Sequence, residues 1–490
     1  MEEFTKFGKF AIAPDQHLHG ELRVAGKGTS LYLRDDEFFH TRTIPDKCLT
    51  GILHDLTRVT LIECITLEEM AHGGDETYHS AKLFPHFVLE GPQHISPNDQ
   101  AIVEIRLGLD DATALFYDFD AFGTVIDPVP HIERIAAANK VDREIVVGPE
   151  PRIVYFTGKR DIIEVDTALG TVRARHNPGW SLGGPAGVRI DNVITIGIEP
   201  ERPLTFGDAF FRTLQLLRFL ELVIGRRQNL REFVVFVNGA ENRVPLRVHW
   251  SYRPLRTARA IDHRRSPQPA DLLLDPIRQS DEFANVMRAW LGTDRERQDA
   301  RCRFHTSFID QEIYSVERLI GAANMFDLLP NSAAPKDVDI PSDVMDAKRR
   351  CQEIFESLPD SYERSSVLGI LGRLGKASLK HKTRHRAQYV ETVTAGRFPD
   401  LALVLDEAIN CRNHYVHGSS AKIDYRENFD MVTFFTDTLE FVFAASELIE
   451  AGWNIQAFIK KGTTMSHPFG AYRVDYDERI KKFHALLSKA

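Results

Sequence analysis

The chain has 490 residues, 43% hydrophobic and 27% charged, which excludes a disordered or collagen-like protein and predicts two or three globular domains. Its net charge is −9, and residues 301–490 carry 25 Lys and Arg against 26 Asp and Glu. Neither half is a basic nucleic-acid binder throughout, so any contact with RNA or DNA must come from a local patch.

The N-terminal "MEEFTKFGKF" has no long apolar core and is not a signal peptide. No stretch approaches the roughly 18 apolar residues that span a bilayer, so no membrane contact is expected. The five cysteines, Cys48, Cys64, Cys302, Cys351 and Cys411, are scattered and odd in number, which fits a reducing cytoplasm and not a disulfide framework. Cys48, His54 and Cys64 match no standard zinc spacing and read as structural residues.

Residues 1–252 read mostly as strands. "GELRVAGKGTSLYL" (20–33) is a hairpin around Gly-Lys-Gly. Strands are also predicted at 58–67, 101–109, 143–148, 152–158 and 193–199, and 231–252 is a second hairpin with Asn238-Gly239 at its turn. Many short strands without strand–helix alternation predict a mainly antiparallel fold, sandwich-like or a barrel. The loop "NPGWSLGGPAG" (177–187) is glycine-rich but lacks GK[ST] and a following helix, so it is no phosphate cradle. One helix interrupts the strands. It opens with Thr205 and Asp208 in capping-box positions, stops at Gly225, and carries Phe210, Leu214, Leu217 and Ile224 in a stripe widened by Phe211, Leu216, Leu220 and Val223.

Residues 253–278, rich in proline and arginine, read as a linker, and residues 279–490 as an antiparallel helical bundle. The first bundle helix has Ser280 as N-cap and Gly292 as stop. The next, 308–326, has Ile309, Ile313, Val316, Ile320 and Ala323 in a stripe. Two more follow at 341–358, with Val344, Cys351, Ile354, Phe355 and Leu358 apolar, and at 362–379, with Val367, Ile370, Leu371 and Leu374. The segment 427–450 is apolar almost all round and suits a central helix. "GKASLKHKTRHR" (375–386) is the densest basic run, and Lys376, Lys380, Lys382, Arg384 and Arg386 are candidates to track RNA phosphates.

The most chemical stretch is "NCRNHYVHGSS" (410–420). Its helix begins at Asp400, after Pro399, and Leu401, Leu405, Ala408, Arg412 and Tyr415 fall on one row. Arg412 therefore lies on the apolar face and needs an internal carboxylate, a partner subunit or an anionic ligand. His417 lies roughly 140° further round an ideal helix. Gly418 ends the helix there, and the imidazole can swing towards Arg412. Asn413 adds a neutral donor and acceptor. "HYVH" also has the spacing of a metal pair, but no further ligand cluster completes it, so no metal and no cofactor are expected. An arginine and a histidine suit metal-free RNA cleavage, in which the substrate's 2′-hydroxyl attacks, histidine moves the proton and arginine stabilises the phosphate.

This motif resembles the R-x4–6-H signature of HEPN domains. "SVERLIGAANMF" (315–326) is similar to the first core helix of the Apea-like HEPN branch, and "FGKFAIAPDQHLHGELRV" (7–24) to the opening of the β-rich domain in ApeA-type anti-phage proteins. The resemblance implies an α+β multidomain protein with a β-rich sensing or regulatory half and an all-α HEPN bundle. It implies an endoribonuclease of abortive infection that acts on RNA as a homodimer, with a phage-derived trigger. Arg412 and His417 carry over as catalytic residues and Asn413 as the polar position after the arginine; His414 has no role in the pattern. Two alternatives remain open: a non-catalytic HEPN scaffold for dimerisation or RNA binding, and a β-rich half that binds a small molecule or glycan.

Overall fold

The computed structural model describes residues 3–13, 15–73, 78–138, 146–181, 183–185, 187–239, 241–252, 266–308, 313–333, 335 and 341–489. The chain divides into two compact units, Met1–Ala284 and Asn285–Ala490.

The first unit begins with β1 (Phe4–Ala13), β2 (Gln16–Val24), β3 (Ser30–Asp35), β4 (Leu49–Leu53), β5 (Arg58–His72) and β6 (Tyr78–Gly91). Next come β7 (Ile102–Leu109), α1 (Ala112–Leu115), β8 (Phe122–Thr124), α2 (Val129–Ala138) and β9 (Val154–Phe156). It continues through β10 (Asp161–Thr167), β11 (Gly170–Trp180), β12 (Ile190–Glu199), α3 (Phe206–Ile224), β13 (Leu230–Asn238) and β14 (Arg243–Trp250). Twelve strands share one antiparallel sheet in the order β10-β11-β12-β7-β13-β14-β6-β3-β2-β1-β4-β5. A further pairing of β6 with β5 closes the last six into a barrel, so the β-rich, antiparallel half takes the second of the two arrangements its strand pattern allows.

The physical reason is β6. Its first half pairs with β3, its last residues pair with β14, and its other edge pairs with β5 from Arg58↔Gly91 to His72↔Tyr78. A register shift between Thr66 and Glu68 marks a bulge of the kind that bends a strand far enough to close a sheet. Alternate residues fill the interior: Phe10, Leu18, Leu22, Leu31, Leu33, Leu49, Leu53, Val59, Leu61 and Leu83 are all buried. Gly51 makes room for Phe10, whose ring would lie 2.4 Å from a Cβ at that position.

The hairpins at 20–33 and 231–252 form as expected. The first is the middle of a β1–β2–β3 meander whose opening strand the alternation did not reveal. The predicted strand at 143–148 falls partly outside the described residues, and Val146–Gly148 form none. Residues 177–180 of the glycine-rich stretch belong to β11, not to a loop. Pro178 is tolerated because β10 pairs with β11 only as far as Arg175, which leaves that end an edge. Helix α3 keeps its expected ends. Thr205 Oγ1 accepts from the Asp208 backbone N–H, and Gly225 takes the left-handed φ of 88°. Phe211, placed in its apolar stripe, is exposed. Of the expected linker, 253–265 lies outside the described residues, and Leu272, Leu273 and Leu274 are buried in the first unit's numbering range.

The division between units falls inside α4 (Ser280–Phe308). The second unit adds α5 (Val316–Asp327), α6 (Ser342–Glu356), α7 (Tyr362–Arg373), α8 (Leu379–Val393), α9 (Leu401–His417), α10 (Phe429–Glu450), α11 (Ile455–Lys460) and α12 (Pro468–Leu487). As expected, α10 is central and buried on every side.

Helix α4 runs through Gly292 instead of stopping. A helical glycine costs only about 1 kcal/mol, and the turns beyond it are fixed by tertiary ion pairs. Arg297 and Arg301 both reach Glu447 of α10, at 2.6 and 3.0 Å. The predicted helix 308–326 is divided: α5 starts at Val316 behind Ser315, whose side chain accepts from the Arg318 N–H. Ile309 lies outside the described residues, and Ile313 is exposed. The buried face of α5 is Leu319, Ala322, Ala323, Met325 and Phe326. Helices α6 and α7 contain no buried residue, and Ile354 and Ile370 are 59% and 65% exposed. Most of their stripe residues are exposed, and the two helices are joined where Arg364 donates to the Phe355 and Glu356 carbonyls. Among the described residues no helix is long and apolar enough to cross a membrane.

Candidate active site

Helix α9 places the motif. Its start follows from Pro399 and from Asp400 in the left-handed region at φ 63°. Leu401, Val404, Leu405, Ala408, Ile409 and Cys411 bury its inner face. Glu407, also buried, accepts from the Tyr425 hydroxyl at 2.6 Å and from the Asn410 amide at 2.8 Å. One turn further the row reaches Arg412, which is half-buried.

Arg412 has only neutral partners. Nη1 donates to Asn413 Oδ1 at 3.0 Å and to His417 Nε2 at 3.1 Å, and Nη2 donates to Asn324 Oδ1 of α5 at 3.4 Å. Its Nε is buried and makes no hydrogen bond. Among the described residues no carboxylate pairs with it. Four other buried arginines of the unit differ: Arg297, Arg301 and Arg386 share Glu447, and Arg318 holds Glu440 through two 2.9 Å bonds, whereas buried Arg473 donates to the Phe458 and Lys461 carbonyls. Of the three partners the sequence left open for Arg412, the internal carboxylate is thus not found among the described residues.

His417 is the last helical residue and is exposed. A guanidinium only donates, so the Arg412 contact needs a bare Nε2 and the imidazole's proton on Nδ1. The two groups meet without unwinding the helix, because His417 is at its end and Gly418 follows at φ 67°. The Gly418 N–H caps the His414 carbonyl at 2.9 Å. Gly418→Ala forces a side chain into the left-handed region and is expected to cost about 1 kcal/mol. It should also displace His417, so a thermal melt and an RNA cleavage assay should both fall; an unchanged melt removes the cap argument.

His414 faces elsewhere. Its Nδ1 donates to the Ser419 carbonyl at 2.8 Å and its ring packs edge-on against Tyr415 and Tyr425, so it fastens the segment beyond the helix. Cys411, though next to Arg412, is no nucleophile: burial, helped by Glu407, pushes its thiol up to about 12. Among the described residues no group of three or more His, Cys, Asp or Glu is placed to hold a metal. Cys64 is buried, and burial pushes its thiol up as well.

The basic run is helix α8, capped by Ser378, and its residues separate by face. Lys376 is exposed. Lys380 Nζ donates to Asn410 Oδ1 at 2.6 Å, two residues before Arg412, and Lys382 Nζ to the Asp327 carbonyl at 3.1 Å. Arg384 grips Asp406 with two bonds of 2.7 and 2.5 Å. Arg386 corrects the sequence reading: it is buried, and its guanidinium donates to Glu450 at 2.5 Å and Glu447 at 3.3 Å. It holds the core together and cannot track a phosphate. Asn324 is the residue the sequence did not single out. Its only signal was an amide on the otherwise apolar "LIGAANMF" of α5.

The family description ApeA N-terminal domain 1 matches residues 6–290, and Apea-like HEPN matches residues 320–456. No curated protein and no solved structure matches the chain. The first match covers more than half the chain, and the second contains Asn324, Arg412, Asn413 and His417. The chain belongs to the ApeA family, as an ApeA-type protein with a C-terminal Apea-like HEPN domain.

Proposed function

We propose that the chain is a metal-independent endoribonuclease of anti-phage defence, acting by abortive infection, with Arg412 and His417 as its catalytic pair. Both domain matches support a HEPN nuclease-type defence protein at the family level. The observation that carries the finer reading is the uncompensated charge of Arg412. A half-buried guanidinium with three neutral partners and no carboxylate among the described residues favours an anion beside it. In this reading the anion is an RNA phosphate.

Substrate binding draws the Arg412 guanidinium onto the phosphate and frees the lone pair of His417 Nε2, which takes the proton from the substrate's 2′-hydroxyl. The 2′-oxygen attacks phosphorus, and the bond to the 5′-oxygen breaks. The departing oxygen takes the proton from the imidazolium, leaving a 2′,3′-cyclic phosphate and a 5′-hydroxyl. Arg412 stabilises the charge that grows on the phosphoryl oxygens. Asn413, whose Oδ1 is held by Arg412, keeps its amide N–H groups to orient them. Two copies of the site face each other in a homodimer, and the β-rich unit restrains or senses.

Lys376, Lys380, Lys382 and Arg384 guide the RNA strand. Changing the three lysines to Ala is expected to weaken RNA binding and lower the slope of log affinity against log salt by about 2. An unchanged slope removes α8 from the binding surface. The function itself is tested by incubating the purified chain with total RNA in EDTA, with and without lysate of phage-infected cells. Fragments ending in a 2′,3′-cyclic phosphate support the nuclease. RNA left intact under both conditions supports the non-catalytic scaffold.

A further inference from the structure

The open half of the N-terminal sheet carries a cleft of about 440 Å³, lined among others by Glu104, Arg106, Arg160, Asp161, Arg173, Arg175, Gly197 and Glu199. Its size lies within the usual range of small-molecule sites. The register explains its shape. In one row across the sheet, Arg106 of β7 pairs with Gly197 of β12, and Gly197 with Arg173 of β11, so a residue without a side chain sits between two arginines. In the next row on the same face, Thr195 pairs with Arg175. Gly197 is therefore the floor of a hollow walled by guanidinium groups.

The hydrogen-bonding capacity of the cleft is unevenly used. Both oxygens of Glu104 are taken, by Arg106 at 2.9 Å and Arg243 at 2.7 Å. Both oxygens of Glu199 are taken too, by Arg243 at 2.9 Å and by Arg173. The arginines are not saturated in return. Arg175 spends only Nε, on Asp161 at 2.5 Å, and Arg106 spends only Nη2, with its face over the Phe236 ring at 4.3 Å. Arg160 pairs its guanidinium with no group among the described residues. Each guanidinium has five N–H donors. Every oxygen of Glu104 and Glu199 is engaged, while guanidinium donors of Arg106, Arg160 and Arg175 remain, so the cleft suits an anion that accepts hydrogen bonds from several forks at once.

We propose that this cleft binds a small phosphorylated molecule, with Arg106, Arg160 and Arg175 as its donors and Gly197 as the floor. Phosphate fits because its oxygens accept from guanidinium forks on neighbouring strands. A nucleic-acid strand is disfavoured: Glu104, Asp161 and Glu199 nearly balance the arginines, which removes the broad positive field that a polyphosphate chain follows. The inference stands on the β-rich unit alone and does not depend on the nuclease reading.

The test is calorimetric titration of the full chain with ATP and, separately, with inorganic pyrophosphate. Wild type is compared with Gly197→Val and with the double variant Arg160→Ala/Arg175→Ala. A Cβ at Gly197 meets only the Ile105 carbonyl oxygen, at 3.7 Å, so valine fills the hollow without disturbing the strand. Saturable binding to wild type is expected. It should weaken at least about tenfold in both variants, while their melting temperatures without ligand match wild type. Equal binding of both probes identifies the phosphate groups as what is read, and preference for ATP adds the nucleoside; either supports the proposal. It is overturned if neither probe binds at millimolar concentration, if Gly197→Val binds as well as wild type, or if an RNA oligonucleotide displaces ATP from the site.

Discussion

Arg412→Ala is expected to abolish RNA cleavage while leaving the melting temperature of the chain almost where it was. The two halves of that expectation come from the same geometry. Arg412 makes hydrogen bonds to Asn413, His417 and Asn324, none of them charged, and its Nε makes none. Removing it breaks no ion pair among the described residues and relieves a partly buried charge, so stability should hold. Activity should not. Loss of one charge-stabilising donor costs on the order of 10²–10³ in rate, and loss of a positioned acid or base about 10²–10⁴, so His417→Ala should be equally silent in the cleavage assay. Arg412→Lys should not rescue, because a point charge replaces a planar fork. Full activity in both alanine variants would remove the assignment.

Glu447→Ala should do the reverse and unfold the helical unit. Glu447 is fully buried and is shared by three arginines, Arg297 and Arg301 from α4 and Arg386 from α8. Arg301 also pairs with Asp294 at 3.2 Å, and Arg297 and Arg386 with Glu450 at 2.6 and 2.5 Å, but neither acid can neutralise all three. Truncating the shared partner leaves three buried guanidinium groups on two carboxylates, one positive charge in excess, at a cost of about 3–5 kcal/mol. Denaturant unfolding should show the midpoint falling steeply. A loss under about 1 kcal/mol would place the cluster with exposed ion pairs, which contribute little.

The contrast between these two sites explains what the sequence could and could not disclose. The ends of α9 were legible because Pro399 and Gly418 punctuate it, and Gly418 takes the left-handed conformation that glycine serves. Arg412 was legible because it continues an apolar row of steps of four and three. The caps of α3 were legible for the same local reason. What failed was everything decided by distant partners. Gly292 reads as a stop until the ion pairs from Arg297 and Arg301 to α10 are known. Closure of the barrel depends on β5 and β6 pairing along their whole length, which alternation within either strand does not encode. The stripes of α6 and α7 carry a helical period, but a period does not say whether the facing surface is a core or one neighbouring helix. Arg386 is the instructive case. The densest positive run looked like a surface, yet Thr383, Ala387 and Val390 lie on the face of Arg386 and are all buried. That spacing was present in the sequence, and it separates the buried arginine from Lys376 and Arg384.

The central claim is that Arg412 and His417 cut RNA through the substrate's own 2′-hydroxyl. It is tested most directly on one gel, in EDTA, with an end-labelled RNA and the same strand carrying a single 2′-deoxy nucleotide at the cut position, each with wild type and Arg412→Ala. The account predicts a single product, from wild type on the all-RNA strand, ending in a 2′,3′-cyclic phosphate. Cleavage of the deoxy-substituted strand at that position, or of either strand by Arg412→Ala, would contradict it.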